Sequence, residues 1–235
     1  MFGTKPLRPM TKSLRVLAAL LGYPDAAMRS HLPEMRGLLR GEHVLPAARL
    51  LELDALMDAL ARAEPLAAEA DYVDLFDRGR GTSLHLFEHV HGDSRERGPA
   101  LIDLGQTYET AGLVLAEGEL PDYLPAVLEF VSTQPAREAK AFLGEMAHIF
   151  NAIFAALRHR DSPYASALGA LLELAGETAQ AVQLPVEEPL DESWAEPVVF
   201  DGCSSKGQAR RGQAQPVHIV RKQQAAPSAT SGAPS

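Results

Sequence analysis

Between Ser13 and Val182 apolar residues recur every three or four positions, and no stretch alternates like a strand. Ala139, Phe142, Leu143, Met146, Ile149, Phe150, Ile153 and Leu157 keep one face apolar over about five helical turns. Leu168, Leu171, Leu172, Ala175, Ala179 and Val182 mark a later helix, and Leu50, Leu53, Met57 and Leu60 an earlier one. Leucine far outnumbers valine plus isoleucine here, which favours helix because β-branched side chains lose rotamer freedom in it. Pro46, Pro65, Pro135 and Pro163 stand where a first helical residue is expected, a position that needs no N–H. Ser162 and Asp122 read as N-caps, and Gly22, Gly118 and Gly176 fall near helix ends.

The pattern predicts helices over 12–21, 25–40, 46–63, 65–77, 84–90, 94–117, 122–134, 135–159 and 163–182, with Pro99 starting or kinking the sixth. The fold class is all-α, one compact multi-helix domain spanning 1–184. From Pro185 the stripes stop and Pro, Gly, Ser, Gln and Ala take over. Residues 185–235 therefore read as a mostly disordered tail, unable to bury enough apolar surface to offset chain entropy. Within it, Trp194 to Phe200 is apolar enough to dock.

With 46% hydrophobic and 23% charged residues the chain is globular in composition. Cys203, the single cysteine, excludes an intramolecular disulfide and a cysteine-rich metal centre, and fits a reducing compartment. The net charge of −9 argues against non-specific nucleic-acid binding. That charge is uneven: no acid follows Asp201, whereas Lys206, Arg210, Arg211, Arg221 and Lys222 do, so the body is more acidic than the whole. An acidic body suits a cationic partner. No apolar run approaches the ~20 residues of a membrane span. Val16–Leu21, preceded by basic residues, reads as a first amphipathic helix rather than a signal peptide.

Candidate chemistry concentrates in two places. One runs from Tyr72, Leu75 and Phe76 to His85, Phe87, Glu88, His89, His91 and Arg95. The other is Glu119-Leu120-Pro121-Asp122-Tyr123-Leu124-Pro125. Three readings fit the histidine run. His85-Leu86-Phe87-Glu88-His89 matches H-x-x-E-H, an inverted zinc-peptidase signature that puts two imidazoles on one helix face beside a Glu base. The second reading is structural, with polar rings and carboxylates satisfying helix ends and buried donors. The third is a recognition surface framing an apolar groove. Gly79-Arg80-Gly81-Thr82 is too short to be a phosphate cradle.

The run FEHVHGDSRERG, with ELPDYLP and YVDLFDR, resembles the NarJ-type nitrate reductase molybdenum-cofactor assembly chaperones of the TorD/DmsD-like redox-enzyme maturation group. The similarity covers roughly 12–180 and omits the tail. It implies an all-α cytoplasmic chaperone, not an enzyme and with no stably bound cofactor or metal. Such a protein binds the N-terminal peptide of the catalytic alpha subunit of nitrate reductase. It holds that subunit for insertion of molybdopterin guanine dinucleotide, and of an iron–sulfur cluster, before membrane docking. Cofactor-biosynthesis proteins are further partners, and nucleic acid and direct membrane insertion are not expected. A chaperone for another molybdenum oxidoreductase is the alternative within the group.

The resemblance places the site at Tyr72, Leu75 and Phe76, at His89, His91, Ser94 and Arg95, and at Glu119, Pro121, Asp122 and Tyr123. A helix-in-groove mode then makes Tyr72, Phe76, Phe87, Leu101, Tyr108 and Tyr123 wall residues between helices 65–77, 94–117 and 122–134. Asp74, Asp77, Glu88, Asp93, Glu119 and Asp122 form an acidic rim. Protonation of His85, His89 or His91 is expected to tune the affinity.

Overall fold

The computed structural model describes residues 7–92 and 94–180; the expectations for 185–235, Trp194 to Phe200 included, lie outside them. Among the described residues are eleven α-helices: α1 (Thr11–Leu21), α2 (Ala26–Ser30), α3 (Leu32–Glu42), α4 (Ala47–Arg62), α5 (Pro65–Phe76), α6 (Leu86–Val90), α7 (Arg97–Thr110), α8 (Leu124–Thr133), α9 (Ala136–Glu145), α10 (Ala147–His159) and α11 (Ala165–Ala175). A 3₁₀ turn, Arg80–Thr82, follows α5.

Two helices form the centre. α11 buries all of its residues except Glu173, as a helix apolar all round must. It packs on α10, α9, α4 and α1. α1 buries Leu14, Leu17, Leu20 and Leu21 and lies against α8 and α3. The start of α1 lacks a side-chain cap of its own. The Glu42 carboxylate, at the end of α3, accepts from the N–H groups of Lys12 (2.9 Å) and Ser13 (2.7 Å) instead. Negative charge at a helix N-terminus is favourable there, and the contact fixes where α3 ends relative to α1. At Gly169 a side chain would fall 2.4 Å from the Arg49 guanidinium. This glycine therefore leaves room for Arg49, which reaches from α4 to Glu173 at 3.1 Å.

The helices depart from the sequence reading where a break is nearly helical. The predicted 25–40 helix is divided at His31, because Pro33 has no N–H to give and its ring crowds the preceding turn. The predicted 135–159 helix is divided at Met146, whose φ of −91° and ψ of −1° barely interrupt the apolar stripe. The predicted 94–117 helix starts at Arg97, two residues before Pro99, and stops at Thr110. Gly112 (φ 78°) ends it: the Leu113 N–H returns to the Tyr108 carbonyl (2.9 Å) and the Gly112 N–H to that of Glu109 (2.9 Å). Gly176 (φ 85°) stops α11 the same way, well short of 182. Of the four punctuating prolines, Pro65 alone opens its helix; Pro46 and Pro135 occupy the N-cap, and Pro163 precedes α11 by two residues.

Candidate functional site

The two motif stretches meet. The Leu86 N–H donates to the Asp122 carbonyl (3.0 Å) and the Leu124 N–H to that of Leu84 (2.8 Å), so His85 and Tyr123 face each other as an isolated antiparallel bridge. This short pairing pins the start of α6 to the start of α8. Asp122 is fully buried at the join. Read from sequence as the N-cap of the helix after it, Asp122 does something else, since Tyr123 holds that position. The Asp122 carboxylate turns back and accepts from the Phe87 N–H (3.1 Å), capping α6 from across the bridge. Its other oxygen lies 3.4 Å from His85 Nδ1.

Arg97 completes the group, 3.8 Å from Asp122 and 3.3 Å from Glu88. As the first residue of α7 it is a cation at the positive end of a helix, a placement that its two carboxylate partners offset. Burial pushes the Asp122 carboxyl up, but hydrogen bonds from His85 and Phe87, with the positive charges nearby, hold it below the ordinary range. The same His85–Asp122 hydrogen bond raises the His85 imidazole above its ordinary value, against the opposing effect of burial.

Tyr72 and Phe76 sit deep behind the bridge. Both are buried, in contact with each other (4.8 Å between ring centroids) and with Tyr164 at 6.1 and 5.1 Å. The Tyr72 hydroxyl donates to the Leu21 carbonyl at the end of α1 (2.7 Å) and meets the Tyr123 hydroxyl at 3.0 Å. Burial raises the pKa of both phenols, so they stay neutral hydrogen-bonding groups. Tyr108 is buried on Phe130 (4.9 Å) and donates to the Pro121 carbonyl (2.8 Å). Three of the expected groove walls, Tyr72, Phe76 and Tyr108, are thus core residues in this state, because each ring finds aromatic neighbours and each hydroxyl a partner.

The more accessible members are Phe87, Glu88, His89, His91 and Tyr123, all partly buried, while Arg95 and Glu119 are exposed. Leu75 is partly buried against the core. Phe87 and His91 meet edge to face at 5.4 Å, and the Tyr123 ring lies 5.4 Å from His85. Beside them opens a polar cleft of about 210 Å³, lined by Phe76, Arg78, Gly79, Glu88 and Arg97 among others. Asp122 is interior rather than part of an acidic rim, and Asp93 lies outside the described residues.

The zinc-peptidase spacing does not converge. His89 Nε2 donates to the Ser83 carbonyl (2.8 Å) while His85 is turned to Asp122. No group of three or more His, Cys, Asp or Glu among the described residues is placed to hold a metal ion. Sequence reasoning missed Arg97 and Tyr164. Arg97 lies in the FEHVHGDSRERG run, where its neighbour Arg95 is the motif arginine, and Tyr164 carries no local signal.

Residues 43–170 match the family model described as nitrate reductase delta subunit. The nitrate reductase molybdenum cofactor assembly chaperone NarJ of Escherichia coli (strain K12) is 44% identical over 162 residues, 69% of this chain and 69% of that one. A Bacillus subtilis (strain 168) protein assigned as a nitrate reductase molybdenum cofactor assembly chaperone NarJ is 34% identical over 158 residues, 66% of this chain and 84% of that one. A crystal structure from Archaeoglobus fulgidus, assigned as a redox enzyme maturation protein, superposes with a TM-score of 0.51 at 18% identity. It covers 75% of this chain and 100% of that one, and shows a shared fold.

Proposed function

Because this chain belongs to the nitrate reductase delta subunit family, we propose that it is an assembly chaperone that holds the N-terminal segment of a nitrate reductase catalytic subunit. On this reading it retains the subunit in the cytoplasm while molybdopterin guanine dinucleotide, and an iron–sulfur cluster, are inserted, and releases it for membrane docking. The cofactor is the client's cargo. No described helix is long and apolar enough to cross a membrane.

The observation that carries the reading is the composition of the surface around the bridge. From Gly98 to Ala136 there is no Lys, Arg or His, while Asp103, Glu109, Glu117, Glu119 and Glu129 are all exposed. Partly exposed Phe87 meets that stretch at Asp122, Tyr123 within it is partly exposed, and Ile102, Val114 and Leu120 there are 62%, 90% and 41% exposed. Apolar side chains amid unopposed carboxylates favour a cationic amphipathic segment: the apolar contacts supply affinity and the carboxylates orientation and on-rate.

Calorimetric titration with a synthetic peptide of the client's N-terminus tests this. Micromolar or tighter binding is expected, with Phe87→Ala and Tyr123→Ala each weakening it roughly tenfold, about 1.4 kcal/mol. These partly exposed rings are better probes than Tyr72 or Phe76, whose truncation also opens a core cavity. No heat of binding at about 100 µM peptide, far above a micromolar Kd, would contradict the reading.

A further inference from the structure

α7 is embedded unlike its neighbours. Of its fourteen residues it buries Tyr108 alone, whereas the ten-residue α8 buries seven. Its sequence is a weak helix former, with Gly98 in the first turn and Gly105 in the middle. The segment that follows turns through Gly112 and Gly118, both at positive φ (78° and 88°). Few attachments hold it down. Tyr108 packs on Phe130, which in turn meets Phe142 at 5.8 Å, and the Tyr108 hydroxyl donates to the Pro121 carbonyl at 2.8 Å. Leu104, one turn earlier, is partly buried against the core, and Arg97 ties the helix start to Glu88 and Asp122.

Resting on the chaperone reading above, we infer that α7 is a removable plug, and that the surface it covers at Phe130 is the seat of the client's helix. α7 itself shows what that seat accepts: a helix presenting apolar anchors at i and i+4, here Leu104 and Tyr108. A client helix with the same spacing competes for the place, and exposed Glu129, next to Phe130 on α8, favours a cationic one. Elements that move on binding come from the weakly held end of a fold, and α7 has the few buried contacts that such a role requires. The apparent affinity then contains the cost of opening, since only the open fraction binds. This accounts for buried Tyr108 beside a site that must accept a peptide.

Hydrogen exchange and peptide titration on the full chain test the plug. At Gly105 an added methyl meets nothing within 4 Å, so Gly105→Ala strengthens the helix without a clash. α7 amides are expected to exchange roughly three- to fivefold more slowly in that variant, with apparent peptide affinity lower by the same factor and α1 and α8 unchanged. Tyr108→Ala frees the plug: α7 exchange quickens, binding of an anilinonaphthalene sulfonate dye rises, and peptide binds as tightly or more tightly. A fixed wall residue would give the opposite sign, so weaker peptide binding by a folded Tyr108→Ala chain overturns the inference. Unchanged affinity in Gly105→Ala despite slowed exchange overturns it as well. If the unaltered chain binds no peptide, the chaperone reading fails. The exchange and dye results still judge the plug: α7 amides that exchange only with global unfolding would refute it.

Discussion

Asp122 shows how one buried carboxylate organises two helices. It caps α6, pairs with His85 and Arg97, and belongs to the bridge that aligns α6 with α8. The two titrations describe this interaction from either side. His85 is raised from 6.5, so its stabilising contribution is complete below 6.5 and is lost as pH rises through its folded value. Asp122 is lowered from 3.8, so its contribution is complete above 3.8 and is lost as pH falls through its folded value. The pairing is therefore strongest between those limits. Imidazole NMR should place His85 above 6.5 in the natural chain and lower in Asp122→Asn; an unshifted His85 in the variant would remove the pairing. Tyr72→Phe should cost about 1–2 kcal/mol in urea denaturation, because the Leu21 carbonyl loses a buried donor. An unchanged midpoint would mean that water replaces the hydroxyl. At this scale the sequence is informative about which residues matter and silent about which way they face. Asp122 after Pro121 has the local appearance of a cap for the next helix, and only the long-range bridge redirects it to the one before.

At the scale of elements, apolar periodicity locates most of the helices, since each buries one stripe in a common core. It fails at boundaries where the chain keeps nearly helical angles, as at Met146, and where glycine takes a positive φ, as at Gly112 and Gly176. A stripe read in one dimension does not register either event. Helix ends secured by distant residues are equally hidden: nothing local to Thr11 announces that Glu42 caps α1. Glu42→Ala should destabilise the fold by about 1 kcal/mol, read as a lower thermal midpoint, and Glu42→Gln by less. A midpoint unchanged in Glu42→Ala would show that solvent satisfies those N–H groups. α7 carries its low helical stability in its composition, through Gly98 and Gly105. Its burial of Tyr108 has no such local signal, because the Phe130 partner lies on another helix.

For the whole molecule, an all-α body surrounds α1 and α11 and presents a surface rich in carboxylates on its 98–136 stretch. The sequence motifs point to one family, and the family model and relatives bear that out. Tyr72 and Phe76 of the YVDLFDR motif, and Tyr108, lie in the core, so on the proposed reading they would shape the binding region from behind rather than stand open in it. If carboxylates draw in a cationic client, raising salt from about 50 to 500 mM should weaken peptide binding severalfold, chiefly by slowing association, because screening shortens from ~14 to ~4 Å. Salt-independent association would leave only the apolar half of the account. The most direct test of the central claim is titration calorimetry of the full chain with the client's N-terminal peptide. Saturable binding at micromolar or tighter affinity, weakened in Phe87→Ala and Tyr123→Ala chains that fold normally, is the predicted result. Binding that is absent, or indifferent to both substitutions, would contradict it.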